Sequence, residues 1–156
     1  MKIKSYIKVA NVLLSEMSEK NNNIINKGIF KLGSIMQDIS SHLRFMHHHF
    51  IRNANKLKKY NHKINIIKSS IRLSYILGKL THYISDSFLL VHNIDFTSNL
   101  MLYRKYENKF SKYLKQYIIE KISTQNFHND LMYIIHVNSE IINAYINQFN
   151  YRLSTT

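Results

Sequence analysis

The stretch Gly78-Lys79-Leu80-Thr81-His82-Tyr83-Ile84-Ser85-Asp86-Ser87-Phe88-Leu89-Leu90-Val91-His92-Asn93 decides how the chain is read. It is apolar almost throughout, yet it holds three side chains able to bind a metal: His82, Asp86 and His92. His82 and Asp86 are four apart, so on a helix they lie one turn above each other on the same face. His92 follows six later, a spacing that leaves that face of a straight helix. It therefore belongs to a helix end or to a second ion. Imidazole and carboxylate are ligand types that zinc takes outside thiolate sites. An ionised carboxylate beside two imidazoles among Ile, Leu and Phe is costly to bury unless a cation offsets it. Most His–acid pairs are simply hydrogen-bonded structural pairs; here that burial cost tips the reading towards a ligand set.

The 156 residues are read as one domain, 1–156, long enough to bury roughly 70% of its unfolded surface. There is no cysteine, which excludes disulfides, thiolate zinc sites and thiol nucleophiles, so any zinc must take nitrogen and oxygen ligands. There is no proline, and only Gly28, Gly33 and Gly78 among glycines, a composition that writes long helices far more readily than sheets. Against nine acids stand 22 Lys and Arg, a formal charge of +13. Such a field favours phosphate esters, anionic lipid surfaces or nucleic acid, although a basic surface also serves simply to keep a protein in solution. The basic residues fall in every segment with no Arg-rich arm, which counts against a dedicated nucleic-acid tail. The basic start, Met1-Lys2-Ile3-Lys4, is followed by an apolar run of only Val9–Leu14, too short for a signal peptide's core, and a cytoplasmic protein is the expectation.

The period of apolar residues at Ile3, Ile7, Ala10, Leu14 and Met17 predicts a helix over 3–19, ended by Asn21-Asn22-Asn23. A short helix over Ile24–Leu32 is expected to stop near Gly33. Residues 34–50, with four of the nine histidines, read as irregular or weakly helical, and Asn53–Lys63 as a loop or a solvated helix face. A long helix is expected from Ile64 to about Val91. Another, capped by Thr97 or Ser98, runs to about Ile122, and a last one covers Phe127 to about Tyr151. The sum is an all-α bundle of about five helices.

His82-x3-Asp86-x5-His92, after Leu77-Gly78, resembles the central motif of the bacterial zinc-dependent phospholipase C family, whose fold also serves the fungal single-strand-specific zinc nucleases. The phrase Leu32-Gly33-Ser34-Ile35-Met36-Gln37-Asp38 followed by His47-His48-His49-Phe50 is similar to the family's Gly-x-x-x-Pro-Asp and following histidine, with Gln37 where proline is usual. Ser5-Tyr6-Ile7 resembles the N-terminal helix, where the family has Ser-His or Thr-His, so Tyr6 stands in place of a ligand. Tyr103-Arg104-Lys105-Tyr106-Glu107 is similar to the family's His-x3-Glu, keeping the carboxylate and replacing the histidine. His136-x3-Glu140 has the matching chemistry but lies much further along.

The resemblance, carried by residues 5 to about 110, implies an all-α phospholipase C-like fold and a zinc centre. Asp38, His47 or His48, His82 and Asp86 would form one complete site. His92 and Glu107 would remain of a second, and a third would lose its ligand at Tyr6. The activity implied is hydrolysis of a phospholipid or related phosphate ester by a metal-activated water, with Asp38 able to orient or deprotonate that water. Two other readings stand beside it: a non-catalytic relative with a weakened metal centre, and a basic helical module for an anionic membrane or nucleic acid.

Overall fold

The computed structural model describes residues 3–39, 50–88, 101, 105–106, 108–114 and 125–155. All its regular structure among these residues is helical. The helices are α1 (Ile3–Glu16), α2 (Glu19–Ile24), α3 (Lys27–Ile39), α4 (Phe50–Ile64), α5 (Ser70–Phe88) and α6 (Gln125–Ser154), with further helical turns at 108–114. The all-α expectation holds. The helix expected from Thr97 or Ser98 lies largely outside the described residues.

Several expected boundaries move, each for a physical reason. Asn21–Asn23 do not end a helix; they form α2, started by Ser18, whose hydroxyl accepts from the Asn21 amide at 3.4 Å. Gly33 does not stop α3, which runs through it to Ile39. The missing side chain is needed for packing, because a Cβ at Gly33 would strike the backbone carbonyl of Tyr75 and lie 3.2 Å from the Gly78 Cα. The segment 34–39 is helical, one of the two forms expected for it. Asn53–Lys63 lies on a helix, the second of the two forms expected for it. The long helix begins at Ser70 instead of Ile64, with the Ser69 hydroxyl accepting from the Arg72 amide at 3.5 Å.

The buried stripe of α1 is Ser5, Tyr6, Val9, Ala10, Leu13 and Leu14, turned by about one residue from the expected Ile3, Ile7, Ala10 and Leu14 stripe. It joins Phe30, Leu73, Leu77 and Leu80 and, from α6, Leu131, Ile134, Ile142, Ile146 and Phe149 in one core. The most extensive packing is between α3 and α5; α1 lies mainly against α3, and α4 and α6 both pack against α5. Helix α4 is basic and adheres partly through its aromatic neighbours: Lys56 Nζ lies 4.6 Å from the Tyr83 ring centre, and Tyr60 stacks on Tyr83 at 5.9 Å. Arg152 on α6 donates to the backbone carbonyls of Ile64, at 3.0 Å, and Asn65, capping the end of α4.

A single register relates α3 and α5. The Asn26 amide donates to the Ser74 hydroxyl at 2.9 Å, Gly78 faces the Phe30 carbonyl, and His82 Nδ1 meets the Ser34 carbonyl at 2.9 Å. Each pair is separated by 48 residues, and both chains advance together by one helical turn per step. The two helices are thus parallel and in register. One further turn of the same step pairs the positions of Asp38 and Asp86.

Candidate metal centre

The close crossing at Gly33 and Gly78 brings the α3 backbone within reach of the α5 side chains one turn beyond it. His82 uses this: Nδ1–H donates to the Ser34 carbonyl, which fixes the ring's orientation and turns Nε2 away from α3. Nε2 points at Asp86 Oδ2, 3.3 Å away, and both side chains are fully buried. A carboxylate oxygen and an imidazole lone pair are both acceptors, so this approach in a dry interior calls for a proton or a metal cation between them. Two donors each about 2.0–2.1 Å from a zinc ion, at the tetrahedral angle, stand about 3.3 Å apart. The pair fits that bite.

Tyr6 completes the arrangement from α1. Its ring stacks on His82 with centroids 4.1 Å apart, and its hydroxyl donates to Asp86 Oδ1. The two Asp86 oxygens therefore face different partners, one the phenol and the other the imidazole. On the other side Tyr83 meets His82 edge-on at 5.6 Å. Burial, reinforced by Tyr60 and the charge of Asp86, pushes the Tyr83 hydroxyl far above the usual tyrosine range, so it stays neutral.

The structure brings together the central His82 and Asp86, as their spacing predicts. Asp38 is half-buried on α3, one turn beyond Ser34. Among the described residues, however, no group of three or more His, Asp or Glu side chains is close enough to hold an ion. His47, His48, His49, His92 and Glu107, and Tyr103 with them, lie outside the described residues. His136 and Glu140 are exposed on α6 and are not buried with the pair. Two contributors escape a reading of the sequence: the Ser34 carbonyl, which carries no residue-type signal, and the Tyr6 hydroxyl, which reads only as a lost ligand. Both act across long separations, 48 and 80 residues.

An all-α bundle with a buried His–Asp pair on consecutive turns of one helix places the protein among helical domains with a candidate metal centre. The chain matches the family model for zinc dependent phospholipase C over residues 7–155, and it belongs to that family. No curated protein and no solved structure matches it.

Proposed function

We propose that the protein is a zinc-dependent phosphoesterase that hydrolyses a phospholipid or a related phosphate ester. The observation that carries this reading is the His82–Asp86 pair, two fully buried side chains at ligand spacing whose burial a bound cation would offset. Ligands in this proposal are Asp38, His47 or His48, His82 and Asp86, with His92 and Glu107 left for a second ion. Zinc, when bound, lowers the pKa of a coordinated water towards neutrality and so supplies hydroxide for attack at phosphorus.

The protein's own residues prepare that chemistry. The Ser34 carbonyl holds His82 in the orientation that presents Nε2. Tyr6 orients Asp86 by holding Oδ1, which leaves Oδ2 directed at the imidazole. Asp38 is the group proposed to take the proton of the attacking water. The net positive charge draws an anionic ester towards the protein.

A second reading has an observation of its own. The Tyr6 hydroxyl on Asp86 Oδ1, with His82 on Oδ2, makes a satisfied tyrosine–aspartate–histidine network once a single proton bridges the latter pair. A non-catalytic relative would keep that network in place of a metal. Elemental analysis of untagged wild-type and His82→Ala protein separates the two. The phosphoesterase reading expects zinc in the wild type, lost in the variant, together with metal-dependent release of phosphate ester product from phosphatidylcholine or an aryl phosphodiester. Wild-type protein that holds no zinc, or zinc-loaded protein that hydrolyses neither substrate, overturns it.

A further inference from the structure

The charge of the chain is uneven in a way that the total hides. Between Asp38 and Asp86 there is no acidic residue at all, while nine of the 22 Lys and Arg fall there. Much of this span forms α4, the turn after it and the first part of α5. At that turn a groove of about 890 Å³ opens, floored by Ile67, Ile76 and Ile29. Its edge carries two isoleucines turned out to solvent, Ile66 at 70% and Ile71 at 56% exposure. The exposed cations Lys63, Lys68 and Arg72 also line it. Leu153, at the end of α6, is half-exposed beside the same turn and lines an adjoining hollow with Ile66.

Exposed branched aliphatic side chains ringed by cations, with no acid near them in sequence, match one environment well. The headgroup layer of an anionic bilayer accepts apolar side chains at its acyl boundary while lipid phosphates and carboxylates meet Lys and Arg. Single-stranded nucleic acid would use the cations equally but would gain little from the isoleucines, since its bases stack chiefly on aromatic side chains. We infer that the α4–α5 turn, with Ile66 and Ile71 as its apolar contacts and Lys63, Lys68 and Arg72 as its charges, docks the protein on anionic membrane surfaces. Ile71 precedes His82 by eleven residues on α5, about 16 Å along the helix. Docking is therefore a property separate from the His82–Asp86 pair, and it does not depend on the phosphoesterase reading.

The test is co-sedimentation of the full-length protein with phosphatidylcholine vesicles made with and without phosphatidylserine, at low and raised salt. Alongside the wild type run Lys68→Glu/Arg72→Glu, Ile66→Ser/Ile71→Ser and His82→Ala. All four turn positions are exposed, and unchanged melting temperatures confirm that these variants fold. Binding is expected only with phosphatidylserine, weakened by salt, and reduced at least about tenfold by the charge reversal. The serine pair should also weaken it several-fold, and His82→Ala should leave it unchanged. Equal binding to both vesicle types overturns the inference, as does binding insensitive to the charge reversal. An unaffected serine pair, with duplex DNA displacing the vesicles, overturns it too and marks the face as a general polyanion surface.

Discussion

Replacing Gly78 by alanine tests the packing on which the candidate centre stands. Its Cβ would collide with the Phe30 carbonyl and lie 2.9 Å from the Ser34 nitrogen and 3.0 Å from the Gly33 Cα. Non-bonded carbons prefer a separation of about 3.5–4.0 Å. These neighbours are backbone atoms of a helix and cannot swing aside, so α3 and α5 must part by about half an ångström or more. A gap of that size forfeits about a quarter to a half of each dispersion contact along the seam. Overpacking of this kind costs about 1–3 kcal/mol, against which the better helix propensity of alanine returns at most about 1 kcal/mol. A net loss of about 1–2 kcal/mol lowers the melting temperature of a domain this size by about 2–8 °C. The same separation pulls the Ser34 carbonyl from His82 Nδ1, so zinc affinity should fall with stability. Calorimetry and zinc titration of Gly78→Ala report both. An alanine variant as stable as the wild type would show that helix propensity outweighs the contact, and the close crossing would be refuted.

Tyr6→Phe removes the donor to Asp86 Oδ1. Thermal or urea denaturation of metal-free protein should show a loss of about 1.5–3 kcal/mol, as for a hydrogen bond to a charged group, and an unchanged curve would deny that bond. In zinc titration the same variant should bind about 10–100-fold more weakly, the usual effect of losing a group that orients a ligand. If zinc is bound, EDTA should lower the melting temperature of the wild type by about 5–11 °C, the effect of removing a ligand present at about a hundred times its dissociation constant. His82→Ala should melt at one temperature with or without EDTA. Arg152→Ala uncaps the carbonyls of Ile64 and Asn65 and should cost about 1–2 kcal/mol, with amide exchange accelerating first at the end of α4.

What was legible in the sequence was local. The absence of proline and cysteine pointed to helices, and the spacing of His82 and Asp86 placed them on one face, because both signals lie within a turn or within composition. The glycines show the limit. Gly33 follows an apolar run and reads as a helix stop, a role glycine often plays. Its actual role depends on Gly78, which faces it from another helix, and neither residue's neighbours reveal that. Tyr6 shows it again. Comparison with the family's usual histidine marks a missing ligand, whereas the structure shows a phenol that stacks on His82 and holds Asp86. Asn21–Asn23 read as a break from composition, yet Ser18 supplies the cap that starts α2 there. The ligands expected at His47, His48, His92 and Glu107 fall outside the described residues and are proposed on the family resemblance.

The parallel register of α3 and α5 governs when the centre can come into being. Antiparallel neighbours joined by a short turn can pair early, but these two helices meet only after the intervening chain has turned back across the length of the bundle. Every contact in the seam spans about the same 48 residues, so none forms cheaply ahead of the others, and closing that loop precedes any reward from the packing. The His82–Ser34 bond should thus appear as a single event with the collapse of the whole core. It also follows that a chain cut between α4 and α5 leaves half of the seam on each piece. Neither fragment could assemble the centre alone, and reconstitution of the mixed fragments would have to restore helix pairing and zinc affinity together.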